Sequence, residues 1–188
     1  MGSETIELRV ALATDVDGIR AIDALVYPRA WSEHMTRQQV NRADRTHVVA
    51  IEGGSIVGHA GLLFQAGDGH VSTIAVHPNA QQRSVGRNLL LALMRCALAA
   101  DLTAVTLEVR SHNEAALALY RSFGLAPAGI RRGYYTDTGD DALVLWSPEL
   151  EGEYLSRIRS MRFSDHIRLD AILGRIDAAT SARQENLT

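Results

Sequence analysis

The order in which the apolar residues switch between strand and helix periodicity is the feature that most narrows the fold of this chain. Ile6–Leu12 reads as a strand. Thr14, with Asp17 three residues on, resembles a capping box opening a helix whose apolar stripe is Val16, Ile19, Ile22 and Leu25. A second short helix is predicted over Glu33–Asn41. Three strands follow, Thr46–Glu52, Ile56–Gln65 and His70–Val76, joined as hairpins by Gly53-Gly54 and Gly67-Asp68-Gly69. Pro78 stops the third. A Leu- and Ala-rich helix then covers Ser84–Ala100, followed by a strand at Thr103–Arg110 and a helix at Asn113–Phe123. Two more strands lie at Leu125–Arg131 and Asp141–Trp146. The order βααβββαβαββ predicts an α/β (α+β) fold, a mixed sheet with helices on both faces.

This pattern ends near Trp146, and the chain divides there into a domain over 5–147 and a helical extension over 148–188. In the extension Leu150, Tyr154, Ile158 and Met161 share one helical face, and Leu169, Ile172, Leu173 and Ile176 share another after a break near Ser164. Such faces either dock on the chain's own sheet or meet a partner, a second copy included. Six arginines against seven acids leave no basic face for a membrane surface.

Composition excludes several classes. Hydrophobic residues at 46% and charged residues at 22% describe a folded globular chain. No apolar run reaches the roughly 20 residues that span a bilayer, and no charged-then-apolar leader opens the sequence, so a cytoplasmic protein is expected. The single cysteine, Cys96, excludes a disulfide framework. All 19 basic residues are arginine, yet the net charge is −3, which argues against a nucleic-acid surface. The seven histidines show no pair at metal-ligand spacing, so no metal is expected.

The chemistry-bearing stretch runs from Ser72 to Tyr120. A strand ending Ile74-Ala75-Val76-His77-Pro78 leads into Gln81-Gln82-Arg83-Ser84-Val85-Gly86-Arg87, which opens the long helix. Unpaired backbone N–H groups and the positive dipole end at such a turn suit a phosphate or pyrophosphate, although a purely structural turn reads the same way. Further on, Glu108 stands between Leu107 and Val109, so its side chain points opposite to theirs, to solvent or into a cleft.

Gln81, Ser84 and Gly86 occupy the positions of the Gln/Arg-x-x-Gly-x-Gly/Ala acyl-CoA-binding motif, and the segment resembles that of the GNAT acetyltransferase superfamily. Ser84 stands where glycine is usual, so its side chain either crowds the pyrophosphate or donates one more hydrogen bond to it. Leu107-Glu108-Val109-Arg110 with Asn113 through Leu125, then Arg131-Arg132-Gly133-Tyr134-Tyr135 and Asp141-Ala142-Leu143, resemble the RimI-type N-terminal acetyltransferases. Trp31-Ser32-Glu33 after Tyr27-Pro28 is similar to that family's Pro-Trp-Ser segment, with Arg29-Ala30 interposed.

The resemblance implies a sheet of about seven mostly antiparallel strands and direct acetyl transfer from acetyl-CoA to a protein N-terminal α-amine, with a lysine or small-molecule amine as the alternative acceptor. A non-catalytic acyl-CoA-binding regulator is the remaining reading. It implies Glu108 as general base and Tyr120 beside the CoA sulfur. Ile74, Ala75, Val76, Gln81, Gln82, Arg83, Ser84, Val85, Gly86, Arg87 and Asn113 then hold the co-substrate. Trp31, Arg131, Tyr134 and Tyr135 surround the acceptor.

Overall fold

The computed structural model describes residues 5–182. Strand β1 (Ile6–Val10) leads through a short turn into helices α1 (Val16–Val26) and α2 (Glu33–Asn41). Strands β2 (Arg45–Glu52), β3 (Ser55–Gln65) and β4 (Asp68–Val76) follow. Then come α3 (Val85–Ala99), β5 (Val105–Arg110), α4 (Glu114–Ser122), β6 (Ala126–Tyr135) and β7 (Asp140–Trp146). The extension supplies α5 (Gly152–Ser160), β8 (Ile167–Leu169) and α6 (Ala171–Ala182). No helix among the described residues is long and apolar enough to cross a membrane.

All eight strands join one sheet in the order β6-β7-β5-β4-β3-β2-β1-β8. Neighbours are antiparallel except β4–β5 and β1–β8. The eighth strand, beyond the seven expected, comes from the extension, where Ile6, Glu7 and Leu8 pair with Ile167, Arg168 and Leu169. Strand β6 also runs past the expected end at Arg131 to Tyr135, with an irregularity between those two residues.

Central strand β2 is buried on both faces. Val48 and Ala50 join the core beneath α3, whereas Val49 packs with Ala11 and Ile19 on the α1 side. Helix α3 is buried nearly all round, from Asn88 through Leu98. It lies between the sheet and α6, and a helix without a solvent face is the expected result of such a position. Its leucines contribute about 1.5–3 kcal/mol each through burial.

The start of α1 departs from the expected Thr14–Asp17 box. The Asp15 carboxylate accepts the Leu12 N–H at 2.7 Å and is gripped by Arg9 at 2.6 and 2.8 Å. Asp15 thus serves the turn before the helix. An arginine six residues upstream, rather than local capping, makes it the better acceptor.

Candidate active site

Glu108 sits at the centre of a break in the sheet. Parallel strands β4 and β5 pair only through Gly69–Val105 and His70–Thr106. Beyond these pairs they part, and residues 71–74 and 107–110 become facing walls of a cleft of about 480 Å³. The register against β3 shifts at the same level, with Ser72 the extra residue between Val71 and Thr73. A bulge of this kind bends its strand and explains why β4 leaves β5 there.

Along β5, Val105, Leu107 and Val109 turn into the core, whereas Thr106, Glu108 and Arg110 are half-exposed on the opposite side. Glu108 therefore points away from Leu107 and Val109, as its alternation predicted, and of the two surroundings left open it is the cleft that it enters. Its side chain is 13% exposed. One carboxylate oxygen lies 2.6 Å from His70 Nε2, and the other accepts from Arg131 at 2.7 Å. The carboxylate is thus fixed from two sides by groups on β4 and β6.

The opposite wall is organised by Tyr27. Its hydroxyl donates to the Ile74 carbonyl at 2.9 Å, and so must accept from Thr73 Oγ1, also at 2.9 Å. Burial of that hydroxyl pushes its pKa up to about 12. Tyr120 projects from α4 into the same cleft and is 8% exposed. Burial, with Tyr27 and Tyr135 nearby, raises its pKa as well, so the phenol stays protonated at neutral pH. Asn113 caps α4 by accepting the Ala116 N–H at 3.1 Å, and it also lines the cleft.

Trp31, Tyr134 and Tyr135 stand at the cleft's mouth. The Ser32 side chain accepts the Met35 N–H and caps α2, which fixes the Trp31 loop. On the far side Arg110 grips Asp137 and Asp140 and stacks on the Tyr135 ring at 4.0 Å. Arg131 lies 5.1 Å from the Tyr134 ring centroid while holding Glu108. Arg131 thus couples Tyr134 to the carboxylate.

The loop over 81–87 lies past the end of β4 and does not line the cleft. A Cβ added to Gly86 would come within 3.6 Å of Leu119 and 3.7 Å of Val76, which places the first turn of α3 between β4 and α4. Gln82 and Ser84 both adopt left-handed conformations, at φ 58° and 62°. The Ser84 side chain caps none of the first-turn N–H groups. Gln81 donates to the Val76 carbonyl. Arg83 is clamped to the Glu52 carboxylate, and Arg87 gives an N–H to the Arg162 carbonyl at 2.9 Å. Val85 and Ala75 are buried in the core, so only their backbones face this region.

Three features escaped sequence reasoning. His70 meets Glu108 across 38 residues of sequence. Tyr27 was read only as part of the segment before Trp31. The third is a buried polar chain beneath the cleft. His47 Nε2 lies 3.1 Å from His59 Nδ1, and His59 Nε2 lies 3.0 Å from Asp23 Oδ1. Asp23 itself lines the cleft. His47 and His59 stack from diagonal positions on β2 and β3, where His47 is paired with Gly61 and His59 with Val49, a contact their sequence spacing alone did not reveal.

Comparison with known proteins places this geometry. The sequence model described as the Acetyltransferase (GNAT) family matches residues 16–125. N-alpha-acetyltransferase RimI of Mycobacterium tuberculosis is 33% identical over 153 residues, covering 77% of this chain and 95% of that protein. The ribosomal protein bS18-alanine N-acetyltransferase of Escherichia coli is 31% identical, over 72% of this chain and 92% of its own length. The crystal structure of the ribosomal-protein-S18-alanine N-acetyltransferase from Escherichia coli superposes with a TM-score of 0.72 at 27% identity, covering 84% of this chain and 99% of that one. A parted β4–β5 pair, a glutamate in the opening and a glycine-containing turn starting α3 thus occur in a chain that belongs to the GNAT family of acetyltransferases.

Proposed function

We propose that this enzyme transfers the acetyl group of acetyl-CoA to the α-amine of a protein N-terminus, of the ribosomal-protein-alanine type. The observation that carries the reading is the Glu108 carboxylate, held by His70 and Arg131 in the opening between β4 and β5. The names of the relatives support the choice of acceptor.

The residues fit acetyl-CoA. First-turn N–H groups of α3, uncapped by Ser84, suit a pyrophosphate at a helix N-terminus. Arg87 adds a positive charge that is not paired with a carboxylate among the described residues. The Glu52 clamp on Arg83 makes that arginine a brace for the loop, and the loop amides and Arg87 take the phosphates. Bound acetyl-CoA supplies an acetyl group activated as a thioester.

The acceptor must be neutral to attack. A peptide α-amine has a reference pKa near 7.7–8.0, so roughly a tenth is neutral at pH 7, whereas lysine at about 10.4 is almost wholly charged. One oriented carboxylate suffices for such an amine, and Glu108 takes its proton directly or through one water. Tyr120 keeps its proton more firmly than a thiol, whose reference value is about 8.5. The phenol therefore serves the departing sulfur as a hydrogen-bond donor. Tyr27 holds the Ile74 carbonyl and fixes the β4 wall along which the reacting groups align. Trp31, Tyr134 and Tyr135 flank the entry of the acceptor peptide.

The test is CoA release from acetyl-CoA with an Ala-starting peptide and with the same peptide blocked at its N-terminus. Release that needs the free amine is expected. Glu108→Gln lowers kcat by about 10²–10⁴-fold, the span of general-base catalysis, and leaves acetyl-CoA binding intact. Equal release with the blocked peptide would move the acceptor to a side-chain amine, and unchanged turnover in Glu108→Gln would remove the base.

A further inference from the structure

We propose that the C-terminal extension forms a wall of the acetyl-CoA site, with Arg162, Ser164 and His166 as positioning residues for the loop over 81–87. The inference rests on the reading of that loop as the pyrophosphate holder. Four hydrogen bonds carry it. His166 Nε2 donates to the Arg83 carbonyl at 3.2 Å, and the Arg162 carbonyl accepts from Arg87 at 2.9 Å. The other two join Ser164 to Asn88: the Ser164 N–H donates to Asn88 Oδ1 at 3.0 Å, and Asn88 Nδ2 reaches Ser164 Oγ at 3.1 Å. The same Nδ2 donates to the Ser84 carbonyl at 2.8 Å. Asn88, the middle of this relay from the extension to Ser84, is fully buried.

Two of these contacts end on the backbone of the loop, at the Arg83 and Ser84 carbonyls. Ser84 holds a left-handed conformation that is strained for an L-residue when nothing compensates. The Asn88 relay to its carbonyl, together with the His166 bond one residue earlier, is what holds it there. A loop with glycine at this position would need less support.

The extension grips the second arm of the cleft in the same way. Tyr154 donates to the Phe123 carbonyl at 2.8 Å, and Arg157 to the Ser122 carbonyl at 2.8 Å. Both close the C-terminus of α4, where a cation also complements the helix dipole. Helix α4 carries Tyr120 and is capped by Asn113. The whole segment is fastened to α3 by Arg95, 2% exposed, which donates to the Arg159 and Met161 carbonyls and pairs with Asp177 on α6. One segment thus ties the start of α3 to the end of α4, the two elements between which the co-substrate is read to lie.

The test uses the full chain and calorimetric binding of acetyl-CoA, which needs no knowledge of the acceptor. His166→Ala is expected to weaken acetyl-CoA binding by about 3- to 10-fold, the effect of one lost hydrogen bond. The KM for acetyl-CoA rises with it, while kcat at saturating acetyl-CoA stays within about twofold, because Glu108 and Tyr120 are untouched. His166→Gln, which returns an N–H of similar reach, restores the affinity. Ser164→Ala repeats the loss in smaller measure. A His166→Ala protein that melts earlier yet binds acetyl-CoA as the parent does overturns the proposal and leaves the extension a stability element. A parent protein that binds no acetyl-CoA overturns the loop reading itself, and this inference with it.

Discussion

Lowering the pH from 7 to 5 protonates His47 in the unfolded chain but not in the native one, and this sets a measurable slope on stability. His47 is 2% exposed and stacks against His59 with ring centroids 5.2 Å apart. Burial, reinforced by the neighbouring His59 and partly offset by Asp15, pushes its pKa from 6.5 down to about 3. A group whose folded pKa is depressed contributes stability that is complete above its unfolded pKa. That stability drains as pH falls through the window toward the folded value. Between pH 6.5 and 5 the loss is about 1.4 kcal/mol per pH unit, so about 2 kcal/mol disappears from pH 7 to pH 5. The interval lies above the carboxylate range, where the lowered pKa values of Asp15, Glu52 and Asp140 come into play. Urea unfolding at pH 7, 6 and 5 would measure the slope for the parent and for His47→Gln, which keeps a donor toward His59 but does not titrate. The two stability curves should converge by about 2 kcal/mol on acidification. Parallel curves would show that His47 takes up its proton in the native state and that the buried chain tolerates charge.

Other substitutions probe separate links. Ser84→Gly relieves a left-handed serine and should stabilise the protein by about 0.5–1 kcal/mol in urea while tightening acetyl-CoA binding. Weaker binding by calorimetry would instead assign the hydroxyl a bond to phosphate. Arg95→Met removes the partner of the Arg159 and Met161 carbonyls and of Asp177, and a loss of about 3 kcal/mol in unfolding free energy is expected. A loss below about 1 kcal/mol would mean that the extension is held mainly by its apolar face. Gly61→Ala places a Cβ 2.7 Å from Ser72 Oγ and 3.0 Å from His47 Nδ1, and should cost about 1–3 kcal/mol by equilibrium unfolding. Unchanged stability would reveal slack around the β4 bulge.

What the sequence could reveal of this site follows from the range of each interaction. Glu108 was legible because a period of two fixes which way a strand residue points, and flanking leucine and valine define the buried side. Asn113 was legible as a helix N-terminal residue because a cap is made within three residues. The cleft itself was not. It exists because two parallel strands pair at one end and part at the other, and parallel pairing leaves no mark on local periodicity. For the same reason His70 looked like one more strand residue, although it closes on Glu108 once β4 and β5 lie side by side. Strand β8, three residues long, has too few positions to show a period and is defined by its ladder with β1.

One long-range fact did have a signal. From Asn88 through Leu98 helix α3 has no solvent-facing stripe. A helix that is apolar on every side needs a second layer over its outer face. In a chain whose only remaining amphipathic segments follow Pro148, that layer had to be the extension. This argument favours docking on the chain's own domain over a partner for those faces, and α6 lies against α3 accordingly. The same requirement explains Arg95. An arginine inside that apolar run is sustained only by acceptors on the covering layer, and the Arg159 and Met161 carbonyls with Asp177 supply them. The layer that buries the back of α3 therefore also reaches its N-terminal turn, so the core and the loop over 81–87 are braced by one segment.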